Sequence, residues 1–166
     1  MRAAVYGIGN ILLGDDGVGP AVAHYLAAHF DLSGVVVEDL GTPSLDLPGY
    51  LVDFETVIFV DAVAADAAPG TVRSYSRDEI TAVPPGIRIS PHEPSINDAL
   101  IVLDFAGSAP RDVILIGVVP QTLEGGVALS PPVQAAVPAM AEAVLAELAA
   151  RGYDGCHSPA PPLASH

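Results

Sequence analysis

Four short stretches of the chain are apolar with no polar alternation: Ala3–Ile8 and residues 35–38, 57–62 and 113–119. Val/Ile-rich runs of this length suit strands of a parallel sheet covered by helices on both faces, although such a run is also compatible with a buried helix segment. The intervening stretches favour strands. Val18, Ala21, Val22, Tyr25 and Leu26 recur every three or four residues and draw one apolar stripe on a helix. Pro20 falls in its first turn, where the backbone N–H that proline lacks has no partner to lose.

Residues 45–54 give a weaker helix, interrupted by Pro48-Gly49, and residues 96–105 a better one that starts near Pro94 or Ser95. Residues 71–75 read as a short extra strand. The last helix is the clearest: Ser130 at the N-cap, Pro131 at the first position, and Val133, Val137, Met140, Ala141, Val144, Leu145 and Leu148 on one face. Pro138 inside it is expected to kink it. The order β-α-β-α-β-(β)-α-β-α is that of a doubly wound α/β sandwich. From about residue 152 the chain becomes a Pro-rich tail with no apolar stripe, so one folded domain over residues 1–151 is expected, followed by a loosely ordered end at 152–166.

Charge narrows the function. Six Lys+Arg stand against 20 Asp+Glu, a formal net charge of −14, and all six cations are arginine. Neutralising a phosphate backbone takes clustered cations, so neither nucleic acid nor an anionic membrane surface is an expected partner. The composition is 51% hydrophobic and 16% charged, which argues for a packed interior over a disordered acidic chain. No segment offers about 20 uninterrupted apolar residues, so the surplus is assigned to a core and not to a bilayer span. Cys156 is the single cysteine, which rules out an intrachain disulfide and a thiolate metal cage. With only Ala3–Ile8 as an early apolar run, too short for a signal-peptide core, the expected compartment is the cytoplasm.

In a parallel α/β sheet the ligand crevice lies beyond the carboxyl ends of the strands, and three polar features fall there. Residues 7–17, Gly-Ile-Gly-Asn-Ile-Leu-Leu-Gly-Asp-Asp-Gly, put Asp15 and Asp16 at the start of the first helix. Asp61 ends an otherwise apolar strand, where an isolated charge costs several kcal/mol unless it is paired, hydrogen-bonded or metal-bound. Ser90-Pro91-His92-Glu93-Pro94 supplies an imidazole. Two carboxylates and one imidazole suit a borderline divalent ion such as nickel, zinc or cadmium. Each also has a plainer reading: Asp15 or Asp16 as a helix cap, His92 as a surface-loop histidine, and His24 and His29 as a solvated helix face. Cys156-His157 on the tail makes a poor metal site. Gly7-x-Gly9 with Asp39 at the end of the second strand hints at dinucleotide binding, but Leu12 stands where the third glycine belongs, and Asp15 and Asp16 would repel a pyrophosphate.

The stretch Gly7-Ile8-Gly9-Asn10-Ile11-Leu12-x-x-Asp15-Asp16-Gly17-x-Gly19 resembles the N-terminal signature of the hydrogenase maturation proteases, endopeptidases that trim the C-terminus of the large subunit of nickel-iron (NiFe) hydrogenases. Asp39-x-Gly41-Thr42, Val60-Asp61-Ala62, Pro69-Gly70, Ile89-Ser90-Pro91-His92 and Gly117-Val118-Val119-Pro120 extend the likeness, in order, over roughly residues 1 to 151. The resemblance implies a three-layer α/β/α sandwich with a twisted, mostly parallel central sheet, of the maturation protease/phosphorylase-like kind. It implies that Asp16, Asp61 and His92 bind metal and carry catalysis. Asp39, Gly41 and Thr42, at and after the end of the second strand, are read as substrate contacts, although a tight turn explains the glycine equally well. The metal implied is nickel already carried by the hydrogenase large-subunit precursor, with cadmium or zinc able to stand in for it in a crystal, and a monomer is expected. Asp16 stands where some relatives have glutamate, and Glu93-Pro94-Ser95 where a relative carries Gln-Leu-Gly, a departure that bears on substrate preference. Two other readings stay open at this point: a noncatalytic nickel-binding maturation chaperone, and a nucleotide-binding module.

Overall fold

The computed structural model of the chain describes residues 2–82 and 96–153. Three of the four apolar runs lie side by side at the middle of one five-stranded sheet. The strands are β1 (Ala3–Ile8), β2 (Val35–Gly41), β3 (Thr56–Ala62), β4 (Val72–Ser76) and β5 (Asp112–Val118), in spatial order β2-β1-β3-β5-β4. β1 pairs in parallel with β2 and β3, and β3 with β5, while β4 runs antiparallel along β5. The helices are α1 (Val18–His29), α2 (Leu47–Leu51), α3 (Arg77–Thr81), α4 (Ile96–Ala106) and α5 (Pro131–Ala150).

The strand pleat sorts the runs into two cores. Ala3, Val5, Ile58, Val60, Ile114 and Ile116 face Val22 and Leu26 of α1 and Val133, Met140, Val144 and Leu148 of α5. The alternate residues Ala4, Tyr6, Val57, Phe59, Val113 and Leu115 face Leu51 of α2, Ile80 of α3 and Leu100 and Leu103 of α4. Each fully buried Val, Leu, Ile, Phe or Met side chain contributes roughly 1.5–3 kcal/mol, so a strand covered on both faces gains from being apolar throughout. The result is the expected three-layer α/β/α sandwich with a mostly parallel sheet.

Several local expectations are revised. Residues 35–38 were expected to be buried on both faces, but β2 is an edge strand with half-buried and exposed positions, because only β1 flanks it. The helix expected over residues 45–54 is a 3-10 turn, Ser44–Asp46, leading into the five residues of α2, with Pro48 accommodated in its first turn. α3 was not anticipated, although Ser76 and Glu79 form a reciprocal capping box that is written in the sequence. By length and composition the 20-residue α5 could also cross a membrane, but its apolar stripe is used up against the sheet. His92, Pro94, Ser95, Cys156, His157 and the tail from residue 154 lie outside the described residues.

Candidate active site

The C-terminal edge of the parallel strands gathers the polar residues. After β1 the chain turns through the 3-10 segment Gly14–Gly17 into α1, and both Asp15 and Asp16 in that turn are buried. Neither occupies the N-cap position of α1, which is held by Gly17. Asp16 instead folds back on the strand end, its Oδ2 accepting from the Asn10 backbone N–H at 2.8 Å. The backbone there is packed so tightly that a methyl group at Gly9 would lie 1.8 Å from the Asp16 carbonyl oxygen. Gly9 itself has φ +145°, in a region glycine alone occupies without strain.

Asp61 is fully buried near the end of β3, with Oδ1 accepting from the Ala62 N–H at 2.7 Å. Its register partner is Gly117 on β5. Asp61 continues the Val57 and Phe59 alternation, which places it on the α2 and α4 side of the sheet at its C-terminal edge. α1 reaches this strand end too, since Gly19 sits against the carbonyls of Ile8 and Val60. Asp16 and Asp61 therefore belong to one edge, reached from neighbouring strands. His92 lies outside the described residues. Among those residues, no group of three His, Cys, Asp or Glu is arranged to hold a metal ion.

The second-strand candidates join the same edge. Asp39 lies two residues before the end of β2, beside Gly7 in register, and a bulge then brings Gly41 beside Ile8. Asp39 Oδ1 accepts from the Gly41 N–H at 2.9 Å, and Oδ2 lies 3.4 Å from Nε2 of His24. Gly41 has φ +58°, and its carbonyl accepts from the Gly9 N–H at 2.7 Å. Backbone and side-chain hydrogen bonds thus run from Asp39 through Gly41, Gly9 and Asn10 to Asp16. Thr42 is exposed beside this path. His24 and His29 are exposed as expected; His29 stacks on Tyr25.

Asp15 has a role the sequence did not disclose. Its Oδ1 accepts from the Ser130 N–H at 2.7 Å, and its Oδ2 from the backbones of Gln121 and Thr122 and from the Ser130 hydroxyl at 2.8, 3.1 and 2.8 Å. Ser130 does stand at the N-cap of α5, but its hydroxyl is given to Asp15 and not to the helix. Burial alone would push the Asp15 carboxyl up; the donors from Ser130, Thr122 and Gln121 outweigh it and hold the group below its ordinary value. The Asp-Asp pair was visible in the sequence, but the partner loop 106 or more residues away was not.

The family model described as hydrogenase maturation protease matches residues 20–147. Hydrogenase 2 maturation protease of Escherichia coli is 35% identical over 156 residues, covering 93% of this chain and 94% of that protein. The hydrogenase expression/formation protein HoxM of Azotobacter vinelandii is 34% identical, covering 89% and 72%. Among solved structures, the hydrogenase maturating endopeptidase HybD from E. coli superposes with a TM-score of 0.84 at 35% identity, covering 92% of this chain and 94% of that one.

Proposed function

The chain belongs to the hydrogenase maturation protease family, and from that premise we propose that it is the endopeptidase that removes the C-terminal extension of a NiFe hydrogenase large-subunit precursor. The observation that carries the site assignment is the delivery of two buried carboxylates, Asp16 and Asp61, from neighbouring strands to one edge of the sheet. In this reading nickel is cargo of the precursor. Asp16, Asp61 and His92 supply two oxygens and one nitrogen to it, too few to saturate the ion, which leaves positions for ligands of the precursor itself. An ion so shared reports that the precursor is loaded.

Cleavage is hydrolysis of one peptide bond. A carboxylate of the pair takes a proton from water as the water oxygen bonds to the scissile carbonyl carbon. The tetrahedral intermediate collapses, the C–N bond breaks, and the released amine takes the proton. Asp39, Gly41 and Thr42 flank the edge where an extended substrate would pass. The same reading has the protein acting as a monomer in the cytoplasm, in keeping with a single cysteine that asks for no oxidising compartment.

The test is a side-by-side digestion of nickel-loaded and nickel-free precursor, followed by intact-mass measurement. Loss of one C-terminal peptide from the loaded form alone is expected. Equal processing of both forms would remove nickel as the recognition element, and complex formation with unchanged mass would favour a noncatalytic chaperone.

A further inference from the structure

The loop after β5 is tied to the loop after β1 more firmly than chain connection requires. The Gly14 N–H donates to the Gly126 carbonyl at 2.8 Å, the Gly126 N–H to the Leu12 carbonyl at 3.0 Å and the Asp15 N–H to the Thr122 carbonyl at 3.0 Å. Beneath this seam lies the Asp15 carboxylate, fully buried and accepting four donors, all from Gln121, Thr122 and Ser130. Burying an ionised carboxylate is costly unless its oxygens are satisfied. Here that cost is met to fix one loop to another, and the next residue is Asp16.

What the seam holds outward is apolar. Ile11, Leu12, Leu13, Leu123 and Val127 are five of the eleven large apolar side chains left exposed among the described residues, and all five are on these two loops. Leu12 is 60% and Val127 79% exposed. Glu124 is the one charged residue between Gln121 and Ser130, so this rim has no cation with which to recognise an acidic ligand. It adjoins the turn that carries Asp16, and the Leu13 carbonyl accepts from the Asp16 N–H at 3.1 Å. The two loops that carry these side chains are hydrogen-bonded to each other beside Asp16, and exposed apolar surface next to a site is where a partner is commonly bound.

We propose that residues 121–129 form a second wall of the substrate cleft, that Asp15 is the positioning residue holding this wall beside Asp16, and that Leu12, Leu123 and Val127 receive an apolar stretch of the precursor next to its scissile bond. The proposal rests on the endopeptidase reading above, and it assigns substrate selection to a loop that carries none of the proposed catalytic groups. Asp15 acts through the loop. Its loss therefore moves substrate binding more than the chemical step.

The test measures the Kd and KM of precursor for wild type, Asp15→Asn, Leu123→Asp with Val127→Asp, and all three changes together, with the urea midpoint of each. The rim variant is expected to keep the wild-type midpoint and kcat while Kd and KM rise about tenfold or more, as loss of an apolar contact at an interface produces. Asp15→Asn is expected to raise KM alongside a lowered midpoint, and the combined variant to raise it no further, because both changes disable the same wall. A folded rim variant with wild-type Kd and KM would overturn the proposal. So would Asp15→Asn with a lowered midpoint and unchanged KM, which is the mark of a purely structural role. Failure of wild type to cut a precursor that it binds would overturn the endopeptidase reading, while the Kd comparison would still decide the docking surface.

Discussion

Gly19 and Val60 meet backbone to backbone: a methyl group added at Gly19 would lie 2.4 Å from the Val60 carbonyl oxygen, and 2.2 Å from that of Ile8. No side chain fits between α1 and the ends of β1 and β3. This contact brings the turn carrying Asp16, three residues earlier, to the strand whose next residue is Asp61. The spacing of the two proposed catalytic carboxylates is therefore set by a glycine that takes no part in the chemistry.

Gly19→Ala should displace α1 from the sheet, since the neighbouring atoms are backbone and cannot rotate away. Overpacking of this kind costs about 1–3 kcal/mol, and a backbone clash belongs at the upper end. Gly49→Ala is the control. An added methyl there has open space within α2, and the change should stabilise by about 0.5–1 kcal/mol. Urea midpoints of the two variants should move in opposite directions; an unchanged Gly19→Ala midpoint would refute the close approach.

Stability should fall at both ends of the pH scale, for separate reasons. Asp15 is held below its ordinary value of 3.8, so the folded form keeps its carboxylate where the unfolded chain would protonate. That contribution is present above the unfolded value and is lost as pH falls through the folded one. Tyr6 is pushed up from 10.0 to about 12, first by burial and then by the Glu38 carboxylate. Its contribution is complete below pH 10.0 and is lost as pH rises towards about 12. Urea midpoints measured against pH should show a shallower acid limb for Asp15→Asn and a shallower alkaline limb for Tyr6→Phe, each leaving the other limb in place.

The sequence disclosed what depends on local pattern. β1, β3 and β5 were legible because burial on both faces demands unbroken apolar runs, and α5 because its stripe, Ser130 and Pro131 agree. Asp61 was legible as the one charge in such a run. What escaped depends on partners far along the chain. β2 has an apolar run like the others, but it lies at the sheet edge with β1 as its one neighbour, a placement that residues 35–38 alone do not specify. Ser130 looked like a helix cap, and its hydroxyl serves Asp15 across 115 positions. The Ser76 and Glu79 capping box that starts α3 is local, but it follows directly on the stronger strand signal of β4.

In the proposed function Asp16 and Asp61 together carry peptide hydrolysis. Intact-mass measurement of nickel-loaded precursor after incubation with wild type, Asp16→Asn and Asp61→Asn tests it most directly. These near-isosteric changes remove a base and an anionic ligand while keeping the shape of each side chain. Each variant, verified as folded by its urea midpoint, is expected to process the precursor at least about 100-fold more slowly than wild type. Processing at the wild-type rate by either folded variant would contradict the account.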